Sequence, residues 1–244
     1  MGGFLKACLN GPREPSEHPA LPVTAVAIAA EAAAAVAAGA DALHIHAKDS
    51  FGRDTLEPDT VAAVLEAVRA AVPGVAVGLT TGAWAAPGPA ERIGLVRAWT
   101  VRPDFASVNW HEPGSSDLAE TLLDAGVGVE PGLWTPAAVS AWRGWRHRGR
   151  CVRVLLEVTD DHPRDEAVLA AGLLVAALGP DRDGIPALLH GEGTSAWPVF
   201  EVAVCEGLQA RIGLEDVLVL PDDSPARGNA DLVTAARALI AGTG

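Results

Sequence analysis

The sequence is poor in cysteine and in uninterrupted apolar runs, and it contains no tyrosine. Its 3 cysteines, Cys8, Cys151 and Cys205, are odd in number and far apart. They fit no disulfide framework and no zinc-ribbon spacing, so a reducing, cytoplasmic setting is the expectation. Basic residues are scarce too: 18 Lys and Arg against 31 Asp and Glu give a formal net charge of −13. A surface of that sign repels phosphate backbones and anionic lipids, which speaks against nucleic-acid and membrane partners. The longest apolar stretch, Ala25 to Ala40, is mostly alanine and is broken by Glu31 and Gly39. It reads as a helix of a soluble protein, not a membrane span. The first residues lack the basic start and apolar core of a secretory signal. No Gly-x-Gly-x-x-Gly turn follows the first apolar run. No linker rich in Pro, Gly or Ser divides the chain, so residues 1–244 are expected to form one domain. The missing tyrosine carries no functional consequence.

What is there is an alternation. The chain is 49% hydrophobic over 244 residues, far too apolar for disorder. Short β-branched runs predict strands at Leu5–Asn10, Ala42–Ala47, Val75–Thr81, Phe105–Trp110, Val127–Leu133, Val152–Val158, Ala187–His190 and Arg211–Leu214. Periodic runs between them predict helices at Ala25–Ala38, Asp59–Ala71, Pro89–Trp99, Ser116–Ala125, Pro136–Trp142, Arg164–Leu178, Ser195–Gln209 and Asn229–Ala241. Thr24, Ser116 and Thr135 suit N-caps, and glycines 39, 126, 179 and 207 suit helix ends. Eight such units in about 250 residues argue for a (β/α)₈ barrel, with an open doubly wound sheet as the competitor.

A barrel gathers its chemistry at the C-terminal strand ends. The polar residues expected there are Asn10, His44, His46, Thr80, Thr81, Ser107, Asn109, Glu130, Glu157, His190, Glu192, Glu215 and Asp216. His44 and His46 stand two apart, so one strand face presents both imidazoles. They could converge on a divalent ion, or be a hydrogen-bonded pair in the barrel. Glu215, expected to close the last strand, would supply a third ligand, and two His plus a carboxylate leave a position open for substrate. Its other reading is a charge for the next helix. Thr80-Thr81-Gly82 offers hydroxyls and a close backbone approach to an anion, or is an ordinary strand–helix turn. Ser107 and Asn109 alternate on strand four, as substrate contacts or as a satisfied polar layer.

These residues resemble the β-keto acid cleavage enzymes. The resemblance runs through Asn10-Gly11, the stretch from Pro19 to Thr24, and His44-Ile45-His46. It continues through Thr80-Thr81-Gly82, the stretch from Pro103 to Asn109, and Arg211-Ile212-Gly213-Leu214-Glu215-Asp216. It implies a (β/α)₈ barrel holding one Zn²⁺ per chain through His44, His46 and Glu215. It implies that a β-keto acid and acetyl-CoA become acetoacetate and a new acyl-CoA, and that the protein is a homo-oligomer, a tetramer. Thr80, Gly82 and Ser107 match positions that hold the substrate carboxylate, with Thr81 and Asn109 beside them. Asp216 would act as base and Arg211 would orient it; a structural ion pair is the other reading.

There are departures. A known member has a glutamate two residues after the first-strand glycine. Here Arg13 holds that spacing, and Glu14 or Glu17 would substitute. Strand seven ends in His190-Gly191-Glu192-Gly193, where Glu192 and Glu157 could face a cationic tail or form an unrelated polar rim. His111 and Glu112 could reach the site or belong to a solvated loop. His18, His147 and His162 show no ligand spacing. An arginine patch at 143, 146, 148 and 150 is a candidate for CoA, with a solvated loop as its other reading, and some of the 7 tryptophans are candidates for an interface. The competing functions are a barrel metallohydrolase and a non-catalytic ligand-binding barrel. The dyad's place on the second strand, and the absence of histidine from strands five and six, count against the hydrolase.

Overall fold

The computed structural model describes residues 3–180 and 184–242. Among them, eight strands alternate with eight α-helices. The strands are β1 (Leu5–Cys8), β2 (Ala42–Ile45), β3 (Ala76–Thr80), β4 (Phe105–Asn109), β5 (Gly128–Leu133), β6 (Val154–Val158), β7 (Ala187–Gly191) and β8 (Gln209–Ile212). The helices are α1 (Ala25–Ala37), α2 (Pro58–Ala71), α3 (Pro89–Arg97), α4 (Ser115–Asp124), α5 (Pro136–Arg143), α6 (Arg164–Leu178), α7 (Ala196–Cys205) and α8 (Asn229–Gly242). Each strand pairs in parallel with the next, and β8 pairs with β1, so the sheet closes. The expected (β/α)₈ barrel is what the chain forms.

Local chemistry explains the helix starts. Thr24 and Thr135 each accept a hydrogen bond from the N–H three residues on, at 3.2 and 3.1 Å. Pro58, Pro89 and Pro136 stand in first turns, where their missing N–H leaves no bond unmade. Ser116 is not a cap: α4 begins at Ser115, preceded by Gly114 with a left-handed φ of 76°. Helix α7 stops at Cys205, well short of the expected Gln209. Gly207, at φ 65°, turns the chain, and Gln209 opens β8.

Helix α1 buries Ile28, Ala29, Ala32 and Ala35, a stripe of mostly small residues facing inward. Tryptophans 99, 110, 142, 145 and 197 are buried in the core. Those five are therefore core residues; Trp134 is partly buried and Trp84 is largely exposed, at 51%. Inside the barrel Lys6 donates to Glu130 Oε2 at 2.6 Å, with both side chains wholly buried. Arg153 pairs with the other oxygen of Glu130. Glu130 therefore anchors an ion trio and is not part of the polar rim expected of it. No helix among the described residues is long and apolar enough to cross a membrane.

Candidate active site

Two glycines shape the approach to the site. At Gly213, just past β8, a Cβ would overlap the backbone of Cys8, so only glycine lets the chain cross β1 so closely. The crossing is fixed by the Glu215 N–H donating to Cys8 O at 3.2 Å. Glu215 thus lies three residues beyond the strand, not at its end. Gly11, at φ 58°, passes over the Glu215 side chain from the other side. Asn10 clamps the second strand: its Oδ1 accepts from His46 N–H at 2.9 Å and its Nδ2 donates to His46 O at 2.9 Å.

The result is a buried cluster. Ligand atoms of His44, His46 and Glu215 all lie within 4.8 Å of one another. Glu215 Oε2 is 3.7 Å from His46 Nε2 and 3.9 Å from His44 Nε2. Two donors tetrahedrally bound to one zinc lie about 3.4 Å apart, so small shifts would close the set. Glu215 Oε2 is buried without a hydrogen-bond partner, a costly state for a carboxylate that a cation would relieve. Burial, with His46 alongside, holds His44 well below the usual imidazole range, which keeps it neutral and able to ligate. Burial works to raise the Glu215 carboxyl, but Arg211 and His46 outweigh it and hold it below its usual value. His46 Nδ1 bonds Asp54 Oδ2 at 2.7 Å, which leaves Nε2 for the cluster. The donor set fits zinc.

Beside it is a second network. Arg211 donates to Asp216 Oδ1 from Nε at 3.1 Å and from Nη2 at 2.8 Å, and Nη2 also reaches Glu215 Oε1 at 3.0 Å. Asp216 is wholly buried, and its Oδ2 has no partner. Burial raises its carboxyl above the usual range despite Arg211 and His190. His190 Nε2 meets Glu157 Oε2 at 3.0 Å, and His190 Nδ1 lies 3.7 Å from Asp216 Oδ1. Glu192 stands 3.7 Å from Arg211, and burial pushes its carboxyl up to about 8 although Arg211 opposes the shift.

A cavity of about 140 Å³ opens onto these groups. His44, His46, Glu215 and Arg211 line it, as do Thr80, Ser107 and Asn109. Asp216 lies behind Arg211 and does not line it. Thr80 Oγ1 accepts from Gly82 N–H at 3.2 Å, leaving its own proton for a ligand. Gly132 on β5 makes room for Asn109 and Glu157, since a Cβ there would strike both. Thr81 turns away: its hydroxyl donates to Ser107 O at 2.6 Å and ties β3 to β4. Glu14 is exposed outside the cavity, and its N–H donates to Glu17 Oε1 at 2.6 Å. Glu17 in turn pairs with Arg13 at 2.8 Å. Glu112 is taken up by Arg92, Asn109 and the Ala83 N–H, and exposed His111 rests on Trp134 with ring centres 4.3 Å apart.

The structure corrects the arginine patch. Arg143 ends α5 and Arg146, Arg148 and Arg150 lie in its connection to β6, and such connections lead to the N-terminal strand ends, opposite the site. Sequence reasoning missed Asp54, Trp84 and Trp134. Asp54 sits in an irregular loop where periodicity says nothing; its one available signal is a carboxylate eight residues past the His pair.

The chain is thus a (β/α)₈ barrel whose C-terminal mouth carries a buried two-histidine, one-carboxylate cluster that could hold a metal ion. A family model described as beta-keto acid cleavage enzyme matches residues 4–244, and the chain belongs to that family. Among solved structures, the binary complex of ObcA with oxaloacetate is similar at TM-score 0.71 and 20% identity, covering 92% of this chain and 64% of that one. A ternary complex of ObcA with a C4-CoA adduct and oxalate gives TM-score 0.70 and 20% identity, covering 92% and 64%. The chain thus spans under two thirds of the ObcA chains. Type I 3-dehydroquinate dehydratase from Clostridium difficile shares the fold at TM-score 0.67 and 10% identity, covering 99% of this chain and 92% of that one. Comparison with curated proteins gives no match.

Proposed function

We propose that this chain converts a β-keto acid and acetyl-CoA into acetoacetate and a new acyl-CoA, with one zinc held by His44, His46 and Glu215. The observation that carries the reading is the buried ligand cluster sharing one cavity with Arg211, which Asp216 grips from behind. Zinc bound there would act as a Lewis acid on the substrate ketone.

The protein's own groups do the rest. Thr80 and Ser107, with Asn109 beside them, offer donors for the substrate carboxylate, holding its α-carbon near the ligand cluster. Arg211 faces the cavity and orients Asp216 behind it; Asp216 Oδ2, which has no hydrogen-bond partner, is the base we assign, and it takes the proton from that carbon directly once the side chain turns toward the substrate. The carbon then bonds to the acetyl carbonyl and CoA leaves as thiolate. The thiolate attacks the original ketone, the carbon–carbon bond breaks, and acetoacetate departs with the proton returned.

A larger groove of about 520 Å³ adjoins the cavity: Arg13 and Gly193 line it, and their neighbours Pro12 and Glu192 line the cavity. Trp197 and Leu218 give it apolar walls, and Arg164 adds a second cation. That supports assigning it to the long arm of acetyl-CoA. It also lies at the loops after strands seven and eight, where barrels favour phosphate. The test is mass spectrometry of products from a panel of β-keto acids, with and without acetyl-CoA. Acetoacetate and acyl-CoA formed only when both are present is the expected result. Equal cleavage without CoA would overturn it in favour of hydrolysis.

A further inference from the structure

Trp84 is half exposed, at 51%, an unusual place for the largest apolar side chain. It is nonetheless fixed. Its Nε1 donates to Asp54 Oδ2 at 2.7 Å, the same oxygen that His46 Nδ1 meets at 2.7 Å. Its ring stacks on the His46 imidazole, with centres 6.3 Å apart and planes 20° apart. A Cβ at Gly82 would run into the indole, so glycine there gives the ring its berth. The ring then forms part of the cavity wall.

Asp54 is well suited to hold both. Its side chain is almost fully buried, and Oδ1 pairs with Lys48 Nζ at 2.8 Å. Lys48 is itself tied to Gly11 O at 2.6 Å and to Arg13 O at 3.2 Å. The carboxylate therefore cannot drift without disturbing the first loop as well.

We propose that Asp54 is a positioning residue that fixes the ligand His46 and the wall residue Trp84 through one shared oxygen, and that the substrate's carbon chain packs on Trp84. The proposal rests on the metal and substrate reading given above. Carboxylates that orient a ligating histidine typically contribute about 10–100-fold in metal affinity.

The experiment measures zinc affinity by chelator competition, alongside KM and kcat for the keto acid. Asp54→Ala should bind zinc about 10–100-fold more weakly, and Asp54→Asn, which keeps an acceptor oxygen, should recover part of the loss. Asp54→Ala with Lys48→Met leaves no buried ammonium unpaired, and should show the same loss in a stably folded protein. Trp84→Ala should leave zinc affinity close to wild type and raise KM much more than it lowers kcat. Wild-type protein that takes up no zinc would overturn both the metal reading and this one. Tight zinc in wild type and in every Asp54 variant would overturn the role of Asp54 alone. An unchanged KM in Trp84→Ala would remove the wall.

Discussion

Gly11 and Glu215 touch across the seam of the barrel: a methyl on Gly11 would fall 2.5 Å from Glu215 Cγ. The backbone there is left-handed, at φ 58°, so alanine would be both strained and obstructed. We expect Gly11→Ala to displace the carboxylate and weaken zinc binding by at least about tenfold, an effect of the size seen when a ligand's support is lost. Competition with a chelator measures it; unaltered affinity would mean that Glu215 is not a ligand.

His44→Ala and His46→Ala should each abolish stoichiometric zinc without unfolding the barrel, because strand ends carry function more than packing. Elemental analysis and circular dichroism check the two halves. Wild-type protein free of transition metal after zinc loading would contradict the assignment.

Asp216→Asn preserves size and removes the proton acceptor. Zinc content should stay near one per chain while turnover falls by about 10²–10⁴-fold. Turnover at the wild-type rate would leave Asp216 with only its grip on Arg211.

Glu130 supports stability rather than catalysis. Glu130→Leu would leave Lys6 and Arg153 charged and unpaired in the barrel, a change that costs about 3–5 kcal/mol when a buried pair is broken. Urea denaturation should show it as a lower midpoint. A midpoint within error of wild type would show that the two cations find other partners.

Arg164 lines the larger groove and pairs with Glu201. Reversing its charge with Arg164→Glu should raise KM for acetyl-CoA by about tenfold, roughly 1.4 kcal/mol, and leave KM for the keto acid unchanged. Equal effects on both substrates would move the CoA arm elsewhere.

The barrel was legible because parallel strands covered on both faces read as short apolar runs, and the helices between them carry their own caps. His44 and His46 were legible because spacing of two survives into any strand. Glu215 was found, but its place was not: residues 211–214 look like a strand, while the actual strand ends at Ile212 and Gly213 bends the chain over Cys8. Glu130 was misread because inward position alone does not reveal whether a carboxylate meets a ligand or Lys6. Asp54 and Trp84 escaped because their shared oxygen joins two loops, and no periodic rule relates one loop to another.

The ligand cluster draws on distant parts of the chain: His44 is in β2 and His46 lies just past it, while Glu215 follows β8 across the junction with β1. A metal held there would act as a clasp on that junction. It would bind only the closed ring and so would stabilise closure by an amount that grows with the logarithm of its free concentration. Stripped of the ion, the ring should loosen first where chain beginning meets chain end, with amide exchange rising in β1 and β8 before it rises in β4 and β5.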